Sequence, residues 1–351
     1  IARGDRFLGV QLGDLNDQAL LQEHWGMCAP QVCSDEAVLR ALVPVLVPGP
    51  ARLVTVEEVF SWADLPLDFV IAGFAKCGTS TLAAGLQRHP RVAMSGCGAD
   101  EACEHALWTT EHTHDFLLPL STIEHFRLLP RWKADERSGV LERHILRGIK
   151  DPRVVEQDAA VERLAASVRA RGARVVLVLR DPVDALESHY NFLECWRVRS
   201  LEDMARSGDT DCLPATGGGG GPRRGWGSMS GRVERMLRAV PRGAVFLVHL
   251  DALVGDEALR ARTSDALLRF LGLGGGSLDL PARNRGAAPR PHGPDLCAPA
   301  SRPTLDLLRA RHAQEYARLA ELLAASGAHV PASLLERRTR CDRGPGAEAR
   351  E

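Results

Sequence analysis

The stretch that most constrains the fold covers residues 68–82, DFVIAGFAKCGTSTL in one-letter code. It opens with an apolar run, residues 69–72, that is too short for a buried helix. A glycine-bracketed turn follows, after which Leu82 and Leu86 recur at helical spacing until Pro90. The stretch therefore predicts a strand, a loop and a helix in direct succession.

The loop of this stretch is suited to binding an anion, because backbone N–H groups converge in such a loop and the helix start adds the positive end of its dipole. A nucleoside-triphosphate P-loop reads GxxxxGK[ST]. Gly73 and Gly78 have that spacing, but Thr79 stands where the lysine belongs, and the lysine lies inside the loop as Lys76. Lys76 can still reach the outer anionic group of a nucleotide. The alternative interpretation is a glycine turn with a solvated lysine.

A second stretch, residues 174–179, is continuously apolar and β-branched after its first arginine, which predicts a central parallel strand covered on both faces. It ends in Arg180, followed by Asp-Pro, and Ser188 lies eight residues after the arginine. A guanidinium makes paired, charge-assisted hydrogen bonds to a phosphate, and a serine on the following helix can close the other side. The alternative is an arginine that only caps the strand.

Together these motifs resemble those of sulfotransferases that use 3′-phosphoadenosine 5′-phosphosulfate, in particular the carbohydrate and heparan-sulfate type. A strand followed by GFxKxGT[ST] is similar to the family's 5′-phosphosulfate loop, and the arginine with its serine is similar to the 3′-phosphate motif. The resemblance implies a P-loop-like, three-layer α/β fold with a central parallel sheet flanked by helices. It also implies a set of donor-binding residues: Lys76, Cys77, Gly78, Thr79, Ser80, Thr81, Arg180 and Ser188.

One segment combines acidic residues and histidines, and its sequence CEHALW resembles the family pattern KExx[FW][FW], whose glutamate is the general base. The resemblance assigns that role to Glu104, although Cys103 replaces the lysine and Leu107 replaces one aromatic residue. Glu101 and His105 are alternatives, since a carboxylate or an imidazole of suitable pKa can accept a proton. A metal site is the less favoured alternative for this cluster, because no HExxH pattern is present.

A further lysine, Lys150, ends a short predicted strand in the sequence GIKDP. This is similar to a GxKxP element of many sulfotransferases, in which the lysine is directed at the acceptor side of the transferred group. The alternative is a solvated lysine at a strand end. Residues 284–292 are basic and irregular, and in the family a basic loop at this point covers the nucleotide, which makes Arg285 and Arg290 candidates.

The chain contains nine cysteines, many for a cytosolic enzyme. With no histidine interleaved at metal spacing, they indicate disulfides in an oxidising compartment rather than zinc. Three pairs are candidates: Cys28 with Cys33, Cys97 with Cys103, and Cys195 with Cys212. Nine is odd, so at least one thiol is free, and Cys77 is the candidate. We expect the Golgi lumen or the secretory pathway, with room for a membrane anchor before Ile1; a cytoplasmic location is the alternative.

Composition restricts the remaining choices. The chain has 351 residues, is 45% hydrophobic, and nearly balances 44 Lys and Arg against 45 Asp and Glu, which argues against a general nucleic-acid binder. We expect a cysteine-containing cap at 1–66, a sulfotransferase domain at 67–330 with a glycine-rich surface insertion at about 214–231, and a mobile tail at 331–351. A last helix is predicted from Ser301 as N-cap.

The predicted function is transfer of a sulfuryl group from 3′-phosphoadenosine 5′-phosphosulfate to a hydroxyl or amine of an acceptor, with a glycan favoured. Glu104 or His105 would take the acceptor proton, and Lys76 and Lys150 would meet the developing charge. No metal is required, since a sulfuryl group carries less charge than a phosphoryl group. One alternative is a P-loop kinase, which would need a lysine at position 79. The other is a catalytically silent protein that still binds the nucleotide.

Overall fold

The computed structural model describes most of the second half of the chain and parts of the first. Side chains are described for 67–94, 146–152, 154–207, 228–280, 295–336, 339 and 341–342, and the backbone alone for 5–14, 23–30, 52–61, 117–119 and 340. The chain divides into two compact units, residues 1–66 with 110–142 and residues 67–109 with 143–351. The first unit thus includes a segment, 110–142, that the sequence analysis counts with the following domain.

The described residues form nine strands. In chain order they are β1 Asp5–Asp14, β2 Glu23–Pro30, β3 Arg52–Ser61, β4 Phe69–Gly73, β5 Val92–Met94, β6 Leu117–Pro119, β7 Leu146–Asp151, β8 Arg174–Leu179 and β9 Val245–His249. In the first unit, strands β2, β1, β3 and β6 form an antiparallel sheet in that order.

The helices of the described residues all follow β4. They are α1 Thr79–Gln87, α2 Asp158–Arg171, α3 Pro182–Phe192, α4 Leu201–Ser207, α5 Met229–Ala239, α6 Leu250–Val254, α7 Glu257–Phe270, α8 Arg302–Arg311, α9 Ala313–Ala325 and α10 Ala332–Leu335. Short 3₁₀ helices occur at Val154–Glu156, Cys195–Arg197, Arg242–Ala244, Pro299–Ser301 and Arg340–Asp342.

The second unit is built on a five-stranded parallel sheet with the strand order β5-β7-β4-β8-β9. Parallel neighbours need crossover connections, which here contain helices, and such strands are covered on both faces. Accordingly, every residue of β4 is buried, and so is β8 after Arg174. The two strands predicted from apolar runs are therefore confirmed, and they are hydrogen-bonded neighbours in the middle of the sheet.

Helix α1 packs its apolar side against this sheet. Leu82 and Leu86, the residues whose spacing predicts the helix, are both fully buried in the main apolar cluster together with Phe69 and Ile71 of β4. A Cβ on Gly148 of β7 would overlap the Phe69 ring, so this position accepts only glycine. The parallel α/β fold expected from the sequence is confirmed.

The C-terminal part departs from the sequence prediction in one respect. The single predicted helix is two helices, α8 and α9, because the chain turns at His312 before continuing. Ser301 precedes α8 but its side chain makes no capping hydrogen bond. The apolar face is nevertheless core, since Leu308 and Tyr316 are both buried.

Disulfides occur in the second unit. Cys297 is bonded to Cys341, with 4.8 Å between their Cα atoms, a pairing that the sequence analysis did not predict. Cys341 lies within residues 331–351, for which the sequence analysis predicts a mobile tail. Cys195 is also disulfide-bonded, while its predicted partner Cys212 lies outside the described residues. Cys77 is the free, buried thiol among the described cysteines, as predicted.

The other two predicted disulfide pairs are not tested. Cys33, Cys97 and Cys103 lie outside the described residues, and Cys28 is described only as a backbone position of β2, opposite Phe7 of β1. The glycine-rich insertion also lies almost wholly outside the described part. Of the helices that are described, none is long and apolar enough to cross a bilayer.

Candidate anion-binding active site

Three of the predicted site residues, Lys76, Lys150 and Arg180, lie at the carboxyl edge of the parallel sheet. Strands β4, β7 and β8 end there, with Ile71 opposite Lys150 and Gly73 opposite Val178 in the ladder. Ligands of open parallel α/β sheets bind outside this edge. The loop after β4, the lysine near the end of β7 and Arg180 directly after β8 therefore lie along one edge, although they are far apart in sequence.

Two glycines give the loop after β4 its path. A Cβ on Gly73 would lie 2.7 Å from the carbonyl oxygen of Val178 in the neighbouring strand. Gly78 has a φ of 90°, in the left-handed region, and a Cβ there would overlap the side chain of Leu250. Gly73 is therefore required by the close approach of the neighbouring strand, and Gly78 by its left-handed backbone and the adjacent Leu250 side chain.

Lys76 has an unusual backbone conformation and is held by two contacts. Its φ is 66°, an uncommon left-handed conformation for a residue with a side chain. Its carbonyl oxygen accepts a hydrogen bond of 3.0 Å from Nη1 of Arg180. Its ammonium nitrogen lies 4.3 Å from the centroid of the Phe192 ring. Such a conformation persists where surrounding contacts determine it, which is common at functional sites.

The start of α1 is electrostatically prepared for an anion. Its N-cap, Gly78, has no side chain to bond the first-turn amides, and no acidic residue lies in the first turn. The N–H groups of a first helical turn lack partners within the helix and carry a partial positive charge. The amides of residues 79–81 therefore form a positive end beside Lys76.

Lys150 is buried, with 1% of its surface exposed, and its ammonium donates a 2.8 Å hydrogen bond to the Ser80 hydroxyl in α1. The alternative of a solvated lysine at the strand end is therefore wrong. The contact brings a second ammonium to the anion-binding loop from the neighbouring strand. The predicted direction of Lys150 toward an acceptor is not tested.

Cys77 can contribute its backbone N–H group to the site, but not a reactive thiol. Its side chain is fully buried, and burial raises the pKa of the thiol to about 12. The thiol is therefore protonated at neutral pH, and protonated thiols are poor nucleophiles.

Arg180 is placed by the helix that follows it. Asp181 is the N-cap of α3, and its Oδ1 accepts hydrogen bonds from the amides of Val183 at 2.9 Å and Asp184 at 2.8 Å. Proline in the first turn supports the same start. Ser188 lies further along α3 and is half-buried. The cap fixes the turn from which the arginine leaves the strand.

Two residues near Lys76 were missed by the sequence analysis, His189 and Phe192. They stand three positions apart on α3 and so share a helix face. Burial, with Lys76 nearby, lowers the pKa of His189 to about 4, so that its imidazole is neutral. Phe192 keeps 52% of its surface exposed. A phenylalanine three positions after a histidine was the signal available in the sequence.

Several candidates fall outside the described residues. They are Glu101, Glu104 and His105 on the acceptor side and Arg285 and Arg290 in the basic loop. The identity of the general base therefore stays a prediction. Within the described ranges, no group of three or more His, Cys, Asp or Glu side chains could hold a metal ion.

The fold and site define a parallel α/β protein with a cationic, anion-binding loop at the carboxyl edge of its sheet. The family model of the sulfotransferase domain matches residues 66–274, more than half of the chain. The chain therefore belongs to the sulfotransferase family, and it is a transferase of sulfo groups.

Two of the solved structures that match this chain are sulfotransferases. The sulfotransferase from Alicyclobacillus acidocaldarius has 20% identity and a TM-score of 0.47, with 76% of this chain and 98% of that chain covered. The sulfotransferase domain from the curacin biosynthetic pathway has 14% identity and a TM-score of 0.34, with coverages of 59% and 74%. No match is found among curated protein sequences. The family assignment rests on the domain match.

Proposed function

We propose that this sulfotransferase uses 3′-phosphoadenosine 5′-phosphosulfate as donor and sulfates a hydroxyl or amine of an acceptor, with a glycan as the favoured class. The observation that carries the donor assignment is the hydrogen bond from Arg180 to the Lys76 carbonyl oxygen. This bond places the Arg180 guanidinium, which is suited to bind one phosphate, next to the loop that contains Lys76, which is suited to bind another anionic group. A donor with anionic groups at both the 3′ and the 5′ position requires such a pair.

The donor set of the site fits this anion. A guanidinium has five N–H donors, and the bond to Lys76 uses one of them. Lys76, Lys150 and the start of α1 add positive charge on the other side of that bond. Ser188 stands on the helix that Arg180 introduces, in the place that the 3′-phosphate motif gives its serine.

When bound, the donor supplies a sulfuryl group on a good leaving group. Lys76, Lys150 and the amides of residues 77–81 would meet the charge that develops on the leaving and equatorial oxygens. Lys150 is already oriented by Ser80 and shielded from water, which strengthens its electrostatic effect. The proposal includes no metal ion, because two ammonium groups and a helix N-terminus supply the compensating charge.

Glu104 is the proposed general base, with His105 as the alternative, and it would accept the proton as the acceptor oxygen attacks sulfur. We further propose that the enzyme acts in the Golgi lumen or elsewhere in the secretory pathway. The Cys297 to Cys341 bond and the bonded state of Cys195 support this, since disulfides persist in oxidising compartments. That environment in turn favours a glycan acceptor.

A P-loop kinase is less well supported. The kinase lysine position is Thr79, which begins α1, and β8 is followed by Arg180 where an acidic metal ligand would be expected. Asp181, the next residue, is buried and already engaged as the N-cap of α3.

The test is calorimetric binding of 3′-phosphoadenosine 5′-phosphate and of ATP with Mg²⁺ to wild type and to Arg180→Ala. We expect affinity for the bisphosphate in the micromolar range, lost by at least about tenfold in the variant, which is about 1.4 kcal/mol. Preference for ATP with Mg²⁺, or equal bisphosphate affinity of the two proteins, would overturn the donor assignment. Binding without sulfation of any glycan, phenol or amine acceptor would favour a catalytically silent protein.

A further inference from the structure

Glu187 is a buried acidic residue that the proposed mechanism does not use. It lies in α3 directly before Ser188, and only 3% of its surface is exposed. Its Oε1 accepts a 2.8 Å hydrogen bond from the backbone amide of Leu296, a buried residue 109 positions away in sequence. Buried polar groups are costly unless they are hydrogen-bonded, so this contact benefits both the carboxyl oxygen and the amide. It joins α3 to a segment that lies beyond the matched residues 66–274.

The segment that contains Leu296 is held by a turn and by a disulfide. The Cys297 amide donates a 2.9 Å hydrogen bond to Oδ1 of Asp295, and the Ala298 amide donates to the Asp295 carbonyl oxygen at 3.1 Å. Cys297 is bonded to Cys341, and the loop of chain that this bond closes contains α8, α9 and α10. The donor of the hydrogen bond to Glu187 is therefore next to a covalent cross-link.

The other end of the cross-link is tied to α8. Arg309 of α8 donates a 3.0 Å hydrogen bond to the Thr339 hydroxyl and forms an ion pair with Asp342. The amide of Thr339 donates to the same Asp342 carboxylate at 3.0 Å. Thr339 and Asp342 lie on either side of Cys341 in sequence. The cysteine therefore belongs to a segment that is anchored to the C-terminal helices.

Helix α3 is held at two places along the 3′-phosphate motif. Oδ1 of Asp181 caps its first turn directly after Arg180, and the bond from Leu296 reaches Glu187 directly before Ser188. Neighbouring residues of a helix share one hydrogen-bonded backbone, so a displacement of Glu187 also displaces Ser188. The cap thus restrains the arginine of the motif, and the Leu296 contact restrains its serine.

We propose that Glu187 is a positioning residue for donor binding and that the disulfide between Cys297 and Cys341 acts through it. The disulfide holds the Leu296 amide against Glu187, and this contact keeps Ser188 in place to bind the 3′-phosphate. The inference rests on the proposed function, because it takes Ser188 as a ligand of that phosphate. It links the C-terminal helices to the donor site.

The first test is the dissociation constant of 3′-phosphoadenosine 5′-phosphate for wild type, Arg180→Ala, Glu187→Gln and Glu187→Met. Glu187→Met removes the acceptor oxygen at similar volume, and we expect its Kd to rise about fivefold, which corresponds to about 1 kcal/mol. Glu187→Gln keeps an oxygen that can accept from the Leu296 amide, so its Kd should stay within about twofold of wild type. The kcat of both variants at saturating donor should also stay within about twofold.

Glu315→Met is the matched control. The Glu315 carboxylate of α9 likewise accepts a 2.9 Å hydrogen bond from a distant backbone amide, that of Ser230 in the first turn of α5. Both methionine variants should lower Tm, because each leaves a backbone amide without its acceptor. Only Glu187→Met should raise the Kd, since α5 carries no residue of the proposed donor site.

Double-mutant cycles test the route from the disulfide to the serine. In a Ser188→Ala background, Glu187→Met should raise the Kd less than about twofold further, because the group that it positions is already absent. The pair Cys297→Ser and Cys341→Ser should raise the wild-type Kd about two- to fivefold and have little effect in the Glu187→Met background. This pair also tests the proposal if Glu187→Met fails to fold, because it leaves the Glu187 side chain intact.

Absence of bisphosphate binding to wild type would overturn the proposed function and this inference together. Binding by wild type that is lost in Arg180→Ala but unchanged in Glu187→Met, or unchanged in the paired serine variant, would overturn this inference alone. An equal rise in Kd for Glu315→Met would also overturn it, and so would additive effects of Glu187→Met and Ser188→Ala. Either result would mean that the substitution loosens the fold in general instead of displacing the serine.

Discussion

Nη1 of Arg180 donates a 3.0 Å hydrogen bond to the backbone carbonyl of Lys76. The arginine follows β8 and the lysine lies in the loop after β4, so the bond crosses between neighbouring strands of the sheet. The bond restrains Lys76 in its left-handed conformation, and the same guanidinium is the group proposed to bind the 3′-phosphate. Binding of the 3′-phosphate to Arg180 should therefore affect the geometry of the loop proposed to bind the 5′-phosphosulfate.

This coupling predicts that Arg180→Lys does not rescue function. A lysine keeps the charge but lacks the planar fork needed to hold a carbonyl and a phosphate together. We expect the donor Kd to rise at least about tenfold and kcat to fall as well, since Lys76 loses a restraint. Arg174→Lys, at the opposite end of the same strand, is the control and should leave both values near wild type. A fully active Arg180→Lys would show that charge alone suffices.

Removing the ammonium group of the buried Lys150 should lower kcat. Lys150→Met keeps most of the side-chain volume and removes the ammonium that contacts Ser80. We expect kcat to fall by about 10²- to 10³-fold, the range for removing one preorganised group from a charge-stabilising site. Ser80→Ala should give a smaller loss, because it removes only the group that orients the ammonium. Steady-state kinetics at saturating donor measure both effects, and unchanged kcat in Lys150→Met would contradict the assignment.

Replacing the Phe192 ring should weaken donor binding modestly. A cation over an exposed aromatic ring gains about 0.5–1 kcal/mol, so Phe192→Leu should raise the donor KM about two- to fivefold by releasing the Lys76 ammonium. Phe192→Tyr keeps the ring face and should restore the wild-type KM. Val198→Ala, at an apolar residue of comparable exposure, is the control. An equal change in the leucine and tyrosine variants would argue against a cation–π contribution.

Protonation of His189 should lower the stability of the folded protein in acid. Its folded pKa of about 4 lies below the ordinary value of 6.5 because of burial and the nearby Lys76. The unfolded chain therefore binds a proton that the folded chain does not, so the contribution to stability is complete above pH 6.5 and is lost as pH falls toward 4. Denaturant unfolding of His189→Gln should show less destabilisation between pH 6.5 and pH 4.5 than wild type. His329→Gln, at an exposed histidine, should behave like wild type.

Local signals in the sequence predicted most of the elements that form the site. The apolar runs that become β4 and β8, the helical spacing of Leu82 and Leu86, and the glycines at 73 and 78 are short-range patterns, and each is confirmed. The break at His312 was not predicted, because the apolar spacing continues through it and only the packing of α8 and α9 separates the two helices.

By itself, the sequence determined the parallel α/β fold, the glycine-bracketed loop between β4 and α1, and the chain order of the two candidate phosphate motifs, because these depend on residue types at fixed spacing. Only the tertiary structure decided which distant groups meet: Lys150 with Ser80, Phe192 over Lys76, and Cys297 with Cys341. These contacts join residues that are far apart in sequence: Cys297 and Cys341 are 44 positions apart, and Ser80 and Lys150 are 70 positions apart. Contacts of this kind depend on strand order and helix packing, which the spacing of residues along one segment does not specify.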